Sequence, residues 1–203
     1  RGNKCKESNY VKTLNKFYHN AFGRACDKTS NHELRSNNQL VKARFRLYQI
    51  LNKLQSKESK EVEKYLKTKG ESGIFKETVH SLSHHWVLDT RGQKINKPTE
   101  AEILSLLSKL HTKKQTQRAL VSHRPAPAAL SIPDDACHYH EAIDSQRTLT
   151  VREMARIQSF PDWFEIKSKV TTGGSMRKFE VPQYTQIGNA VPPLLGSALG
   201  KVI

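Results

Sequence analysis

Three prolines within nine residues, Pro125, Pro127 and Pro133 in "HRPAPAALSIPDDACHYH", constrain this chain more than any other feature. Proline lacks a backbone N–H and its ring clashes with the preceding turn. No helix passes through the stretch, and an extended connector between two bodies is expected. A length of 203 residues allows one ample core or two small ones. Charge is divided unevenly along the chain. Residues 1–70 hold 17 Lys or Arg against 6 Asp or Glu, a net +11, whereas residues 71–203 hold 17 against 13, a net +4. A formal charge of +15 favours a polyanionic partner, nucleic acid first and an anionic membrane surface second. No apolar run approaches the ~20 residues of a spanning helix and no signal-peptide pattern opens the chain, so an intracellular protein is expected, in the cytoplasm or nucleoid if bacterial. Cys5, Cys26 and Cys137 are odd in number, widely spaced and without a CxxC, which argues for reduced thiols and against a disulfide framework or a metal site. An opening Arg1 in place of Met is expected of a processed, split or excised piece.

Periodicity and capping signals place the helices. In "NQLVKARFRLYQILNKL" the apolar residues Ala43, Leu47, Ile50, Leu51 and Leu54 recur at helical spacing, with Lys42, Arg46 and Lys53 on another side. A second helix is expected from Ser59 to about Thr68, ending at Gly70, and both are polar enough to protrude from a core. "SHHWVLDTRGQK" reads as strand and turn. Thr99 with Glu102, and Thr150 with Glu153, form capping boxes that open helices carrying Ile103, Leu107 and Leu110, and Val151, Met154 and Ile157. Pro161 stops the latter. "KVTTGGSMRKFEV" reads as a loop with a short strand, and "PPLLGSALGKVI" as a helix begun by Pro192 and Pro193. There is no internal repeat.

Two of these segments carry a resemblance. "RTLTVREMARIQSFPDWF" followed by "QYTQIGNAVPPLL" resembles, in order and spacing, the last two motifs of the cytosine-5 DNA methyltransferases. "RALVSHRPAPAALSIPDDACHYHEAIDSQ" is similar to the family's Pro-rich, His-containing lead-in, and "NHELRSNNQLVKARF" resembles its variable region more loosely. The firm resemblance covers about the last third of the chain, and the first 97 residues match by position alone.

The resemblance implies an α/β fold. A small mixed recognition domain is joined to a C-terminal helix that completes a Rossmann-like domain for S-adenosylmethionine. Residues 1–146 would form the basic target-recognition region, 147–165 the small-domain support helix, and 166–203 the segment returning to the cofactor domain. Carried over by motif, Asn189 and Ala190 contact the cofactor while Gln186 and Gly188 shape the turn, glycine permitting close approach. From the residues alone, Asn189 has a second reading, as the cap of its own following helix. Arg147, Arg152 and Arg156 could reach phosphate, but a supporting role fits that helix better, with Arg152 and Glu153 as an internal ion pair and a cap. Lys42, Arg44, Arg46, Lys113, Lys114 and Arg118 are the expected contacts to double-stranded DNA.

The family's nucleophile sits in a Pro-Cys pair, its acid in Glu-Asn-Val and its cofactor loop in FxGxG. None of these occurs here. Cys137 follows Ala136 and reads as a packed or surface thiol. The resemblance therefore implies the recognition and cofactor-wall part of a restriction-modification methyltransferase, inactive alone, with a catalytic chain bearing Pro-Cys as partner. The alternative is a non-catalytic basic DNA-binding or regulatory module on the same scaffold. An RNA-binding module lacks support, since the aromatic residues are scattered and build no stacking platform.

Overall fold

The computed structural model describes residues 9–23, 29–114, 117–127, 136–171 and 179–202. Cys5, Cys26, Pro133 and most of "TTGGSMRK" lie outside them. The chain forms two compact units: residues 35–125 with 134–148, and residues 1–34 with 126–133 and 149–203. The Pro-rich connector thus marks a crossing between units. The division at 148/149 falls two residues from the expected 146/147, but residues 1–34 cluster with the C-terminal segment and not with the recognition region.

The first of these units, residues 35–148 without the connector, is mainly helical. Helix α2 (Gln39–Leu51) starts where the Asn38 side chain accepts from the Val41 N–H at 2.9 Å. Helix α3 (Ser56–Lys67) begins three residues earlier than its apolar pattern alone predicts, because Glu58 reaches back to the Gln55 N–H. It ends as expected near Gly70, whose φ of +91° is open to glycine without strain. A further helix, α4 (Lys76–Ser83), precedes a hairpin of β1 (Val87–Leu88) and β2 (Lys94–Ile95), paired antiparallel with Val87 opposite Ile95. The Asp89 carboxylate fixes the hairpin turn by accepting from the Arg91 and Gln93 N–H groups. Helix α5 (Glu100–Leu107) opens on the predicted Thr99–Glu102 capping box. Strands β3 (Arg118–Ala119) and β4 (Ala136–Cys137) pair in parallel.

Phe45, Ile50, Val62, Leu82, Leu107, Leu110 and Cys137 are sealed from solvent at the centre of this unit. Each large aliphatic or aromatic side chain buried in this way is worth about 1.5–3 kcal/mol. Neither α2 nor α3 protrudes. Phe45, Arg46, Tyr48 and Gln49 of α2 are buried along with its apolar stripe, and α3 turns Val62 and Leu66 into the same core. The expected basic flank of α2 is in part interior.

The other unit gathers α1 (Asn9–Phe22), α6 (Val151–Ile157), α7 (Gln183–Asn189) and α8 (Pro193–Leu199). Helix α1, not among the elements expected above, buries Val11, Leu14 and Tyr18. The Tyr18 hydroxyl donates to Ser159 O at 2.8 Å, and its ring meets Trp163 edge-on. Helix α6 opens on the predicted Thr150–Glu153 box, and Phe160 and Pro161 follow its end. Among the described residues no helix is long and apolar enough to cross a membrane.

Candidate functional site

The C-terminal motifs fold into a braced platform. Arg152 of α6 has a fully buried side chain whose guanidinium donates to Ser30 O (3.0 Å), Pro161 O (3.0 Å) and Phe164 O (2.6 Å), and to Ser30 Oγ and Asn31 Oδ1. One interior cation therefore ties the 30–31 segment to both ends of the loop after α6. Arg156 forks onto Asp162 through two bonds of 2.8 Å. Burial raises the Asp162 carboxyl, but that fork, Asn15 and the nearby Arg152 charge outweigh it and hold the group below its usual range. Glu153 serves as the expected cap, accepting from the Thr150 N–H at 2.8 Å. These arginines act on protein acceptors, in keeping with the supporting role expected of this helix.

Helix α7 is locked to that platform. The Tyr184 hydroxyl donates to Leu149 O (2.6 Å), Gln158 Nε2 to Ile187 O (2.9 Å) and Gln183 Nε2 to Ile166 O and Ser168 O. Gln186 donates to Lys167 O and Val181 O, at 2.9 Å each. "QIGN" is the last turn of α7, so Gly188 is helical, and the break falls at Ala190–Pro192, with Ala190 extended at φ −78° and ψ 144°. The turn expected at Gly188 is displaced two residues onward, because the prolines and not the glycine end the helix.

At that break Asn189 is exposed, and among the described residues its side chain makes no hydrogen bond. Helix α8 is capped by Pro192, with no side-chain acceptor. Asn189 is therefore not a helix cap, which corrects the second reading of its role. The Asn189 amide at this helix end is open to solvent and can both donate and accept. Ala190 beside it is half-buried. Ser159 Oγ accepts from the Leu194 N–H at 3.1 Å and anchors the start of α8, none of whose residues is buried; Leu195 and Leu199 are 50% and 56% exposed.

The six cations expected at DNA are not alike. Lys42 is half-buried on α2 and Lys113 is exposed after α5. Arg118 is exposed on β3, and Lys114, half-buried, donates its backbone N–H to Thr112 Oγ1. Arg44 donates to Leu110 O and His111 O, in the segment that follows α5, at 3.1 Å each. Arg46 is 1% exposed, stacks 3.8 Å from the Trp86 ring centroid, donates to Trp86 O and lies 3.6 Å from Glu141. A guanidinium so enclosed cannot meet a phosphate, which corrects the expectation for Arg46. Its amphipathic stem and planar head let it fill interior space that lysine would leave unsatisfied.

Cys137 is sealed, with its Sγ against Phe45 O, and burial pushes its thiol up, away from any nucleophilic thiolate. Among the described residues no His, Cys, Asp and Glu group could hold a metal ion. The sequence reading missed Gln49. Its buried Nε2 donates to His138 O and His140 O at 2.8 Å, and its Oε1 accepts from Gln146, so one side chain folds residues 138–146 into a strap. No pattern in the sequence signalled it, since Gln49 lies off the apolar stripe, on the side of α2 that carries Lys42, Arg46 and Lys53.

The family model for C-5 cytosine-specific DNA methylases matches residues 10–203. Among curated proteins, the Type II methyltransferase M.AquIB of Picosynechococcus sp. is 38% identical over 113 residues, covering 55% of this chain and 77% of that protein. M.AplI of Arthrospira platensis is 52% identical over 58 residues, 29% of this chain and 14% of its own length. M.BsuRI of Bacillus subtilis is 39% identical over 80 residues, 38% of this chain and 18% of its own. The chain thus spans less than a fifth of two of these relatives and about three quarters of the other. No solved structure matches it significantly.

Proposed function

We propose, from the premise that this chain belongs to the C-5 cytosine-specific DNA methylase family, that it supplies the target-recognition region and one wall of the cofactor site of a cytosine-5 DNA methyltransferase. The unit of residues 35–148 would read duplex DNA. The platform of α6, α7 and α8 would join a Rossmann-like domain carrying the Pro-Cys nucleophile and the glycine-rich loop, on another chain or another part of the polypeptide. The observation that carries this reading is Asn189, an exposed amide with no protein partner at the end of a braced helix, inside the family's last motif. A cofactor with a charged methionine end fits such a residue, since an amide both donates and accepts. When bound, S-adenosylmethionine supplies the methyl group; Asn189 and Ala190 would hold it, and Gln186 would keep the turn in place. The buried Cys137 and the absence of any Pro-Cys pair in the sequence support a nucleophile from elsewhere. The exposed apolar side chains of α8 support a covering surface, here the Rossmann-like domain.

The test is reconstitution with a chain bearing Pro-Cys and FxGxG. Cofactor binding and methyl transfer should appear only on mixing. Asn189→Ala in the mixture should weaken S-adenosylmethionine about tenfold to a hundredfold, from lost hydrogen bonds worth roughly 1–3 kcal/mol, with duplex affinity and thermal stability within error of wild type. A mixture that binds duplex DNA but gains neither cofactor nor activity points instead to a basic regulatory module. Cofactor affinity untouched by Asn189→Ala removes that residue from the site.

A further inference from the structure

A groove of about 390 Å³ opens beside the C-terminal end of α2, between residues 120–123 and the strap of residues 138–146. Its walls come from the end of α2 and from the segment that resembles the family's Pro-rich, His-containing lead-in. The Tyr139 ring is 46% exposed yet braced by stacking on His138, centroids 4.9 Å apart and planes 16° from parallel. His138 Nδ1 accepts from the His140 N–H (3.0 Å), and His140 Nδ1 accepts from the Ala142 N–H (3.1 Å). A neutral imidazole that accepts at Nδ1 carries its proton on Nε2, so the exposed His140 presents a fixed N–H donor. Asn52 Nδ2 donates to Ala119 O and Leu120 O, which orients its Oδ1 as an acceptor with no partner among the described residues. Lys53 pairs with Glu141 at the mouth, and the same carboxylate lies 3.6 Å from the enclosed Arg46 guanidinium.

An aromatic wall, a donor, an acceptor and a lysine at the mouth of one concavity match the parts of a nucleotide. A base within a stacked duplex shows only its edge, to a convex reader. A concave groove with an exposed ring needs a base face, which is free only when the base has left its stack. We propose that this groove receives one unstacked nucleotide of a DNA strand, with Tyr139 against the base face, His140 Nε2–H and Asn52 Oδ1 on its edge, and Lys53 toward its phosphate. The inference rests on the DNA-recognition reading above and adds a second point of base contact, apart from the cofactor wall.

The experiment uses the full chain with fluorescent single-stranded hexamers of dT and of dA, followed by anisotropy. Wild type should bind both. Tyr139→Ala should weaken binding about fivefold to a hundredfold, the range found for removing a base–aromatic stack, while Tyr139→Phe stays within twofold. Both variants should keep the wild-type melting temperature, since the side chain is exposed. Wild type that binds neither hexamer, Tyr139→Ala within twofold of wild type, or Tyr139→Phe as weak as Tyr139→Ala overturns the proposal. Cofactor binding on reconstitution is measured separately. Gain of cofactor with an inert Tyr139 sinks only this groove, and hexamer binding through Tyr139 without gain of cofactor sinks only the methyltransferase reading.

Discussion

Replacing Arg152 with methionine should cost the C-terminal unit about 4 kcal/mol. Methionine matches much of the stem's volume but donates nothing, so the carbonyls of Ser30, Pro161 and Phe164 lose their Arg152 donors inside the protein. An unsatisfied buried acceptor costs about 1–3 kcal/mol. Three of them at the lower to middle part of that range, with partial relief from entering water, give about 4 kcal/mol. Arg152→Lys keeps the charge but cannot reproduce the planar fork, and about half the loss is expected. Trp163 lies in this unit and Trp86 in the other, so urea unfolding followed by tryptophan fluorescence in a Trp86→Phe background reports on the unit of interest. With m of roughly 2 kcal/mol/M, the midpoint should fall by about 2 M for Met and about 1 M for Lys. A midpoint within about 0.3 M of the parent for Arg152→Met, at unchanged m, would refute the claim that this cation holds the platform together.

Two further outcomes are expected. The depressed Asp162 carboxyl contributes stability that is present above its unfolded value of 3.8 and lost as pH falls through its lower folded value; Asp162→Asn should destabilise at neutral pH and flatten the acid limb of a stability-versus-pH curve, and an unchanged acid limb would count against the Arg156 fork. Lys42→Ala and Lys113→Ala should each reduce the salt slope of duplex binding by about 0.9 if they meet phosphate, whereas Arg46→Ala should chiefly lower the stability of its unit; equal slopes in all three variants would show that these lysines are solvated bystanders.

Much of the fold was legible because its signals are local. The Thr99–Glu102 and Thr150–Glu153 boxes, the Pro192–Pro193 helix start and the Asp89 turn each depend on residues within four positions of one another, so sequence order carries them. Helix α1 carries such a local signal too, Val11, Leu14 and Tyr18 recurring at helical spacing, and it went unread; only its anchors, Tyr18 to Ser159 and Asn15 to Asp162, join residues more than 140 positions apart and lie beyond the reach of sequence order. The same distance hid the division of the chain: charge placed residues 1–34 with the basic recognition region, but hydrogen bonds from Ser30, Asn31 and Tyr18 place them with α6.

Charge was the least reliable guide to the site, and the reason is physical. A formal +15 counts every arginine alike, yet Arg152 and Arg46 spend their donors or ring faces inside the protein and Arg44 spends two donors on backbone carbonyls. Arginine tolerates this where lysine does not, because its weakly hydrated, planar head satisfies several carbonyls or an aromatic ring at once. The cations left to meet a polyanion are therefore among those on the surface, such as Lys113, Arg91 and Arg124, and the electrostatic footprint is smaller than the sequence total. By the same logic the most informative polar residue is the one with no protein partner. Asn189, on a helix whose neighbouring glutamines and tyrosine are all engaged, keeps an exposed amide at the helix end, where water can satisfy it in this chain alone and the proposed cofactor would replace that water.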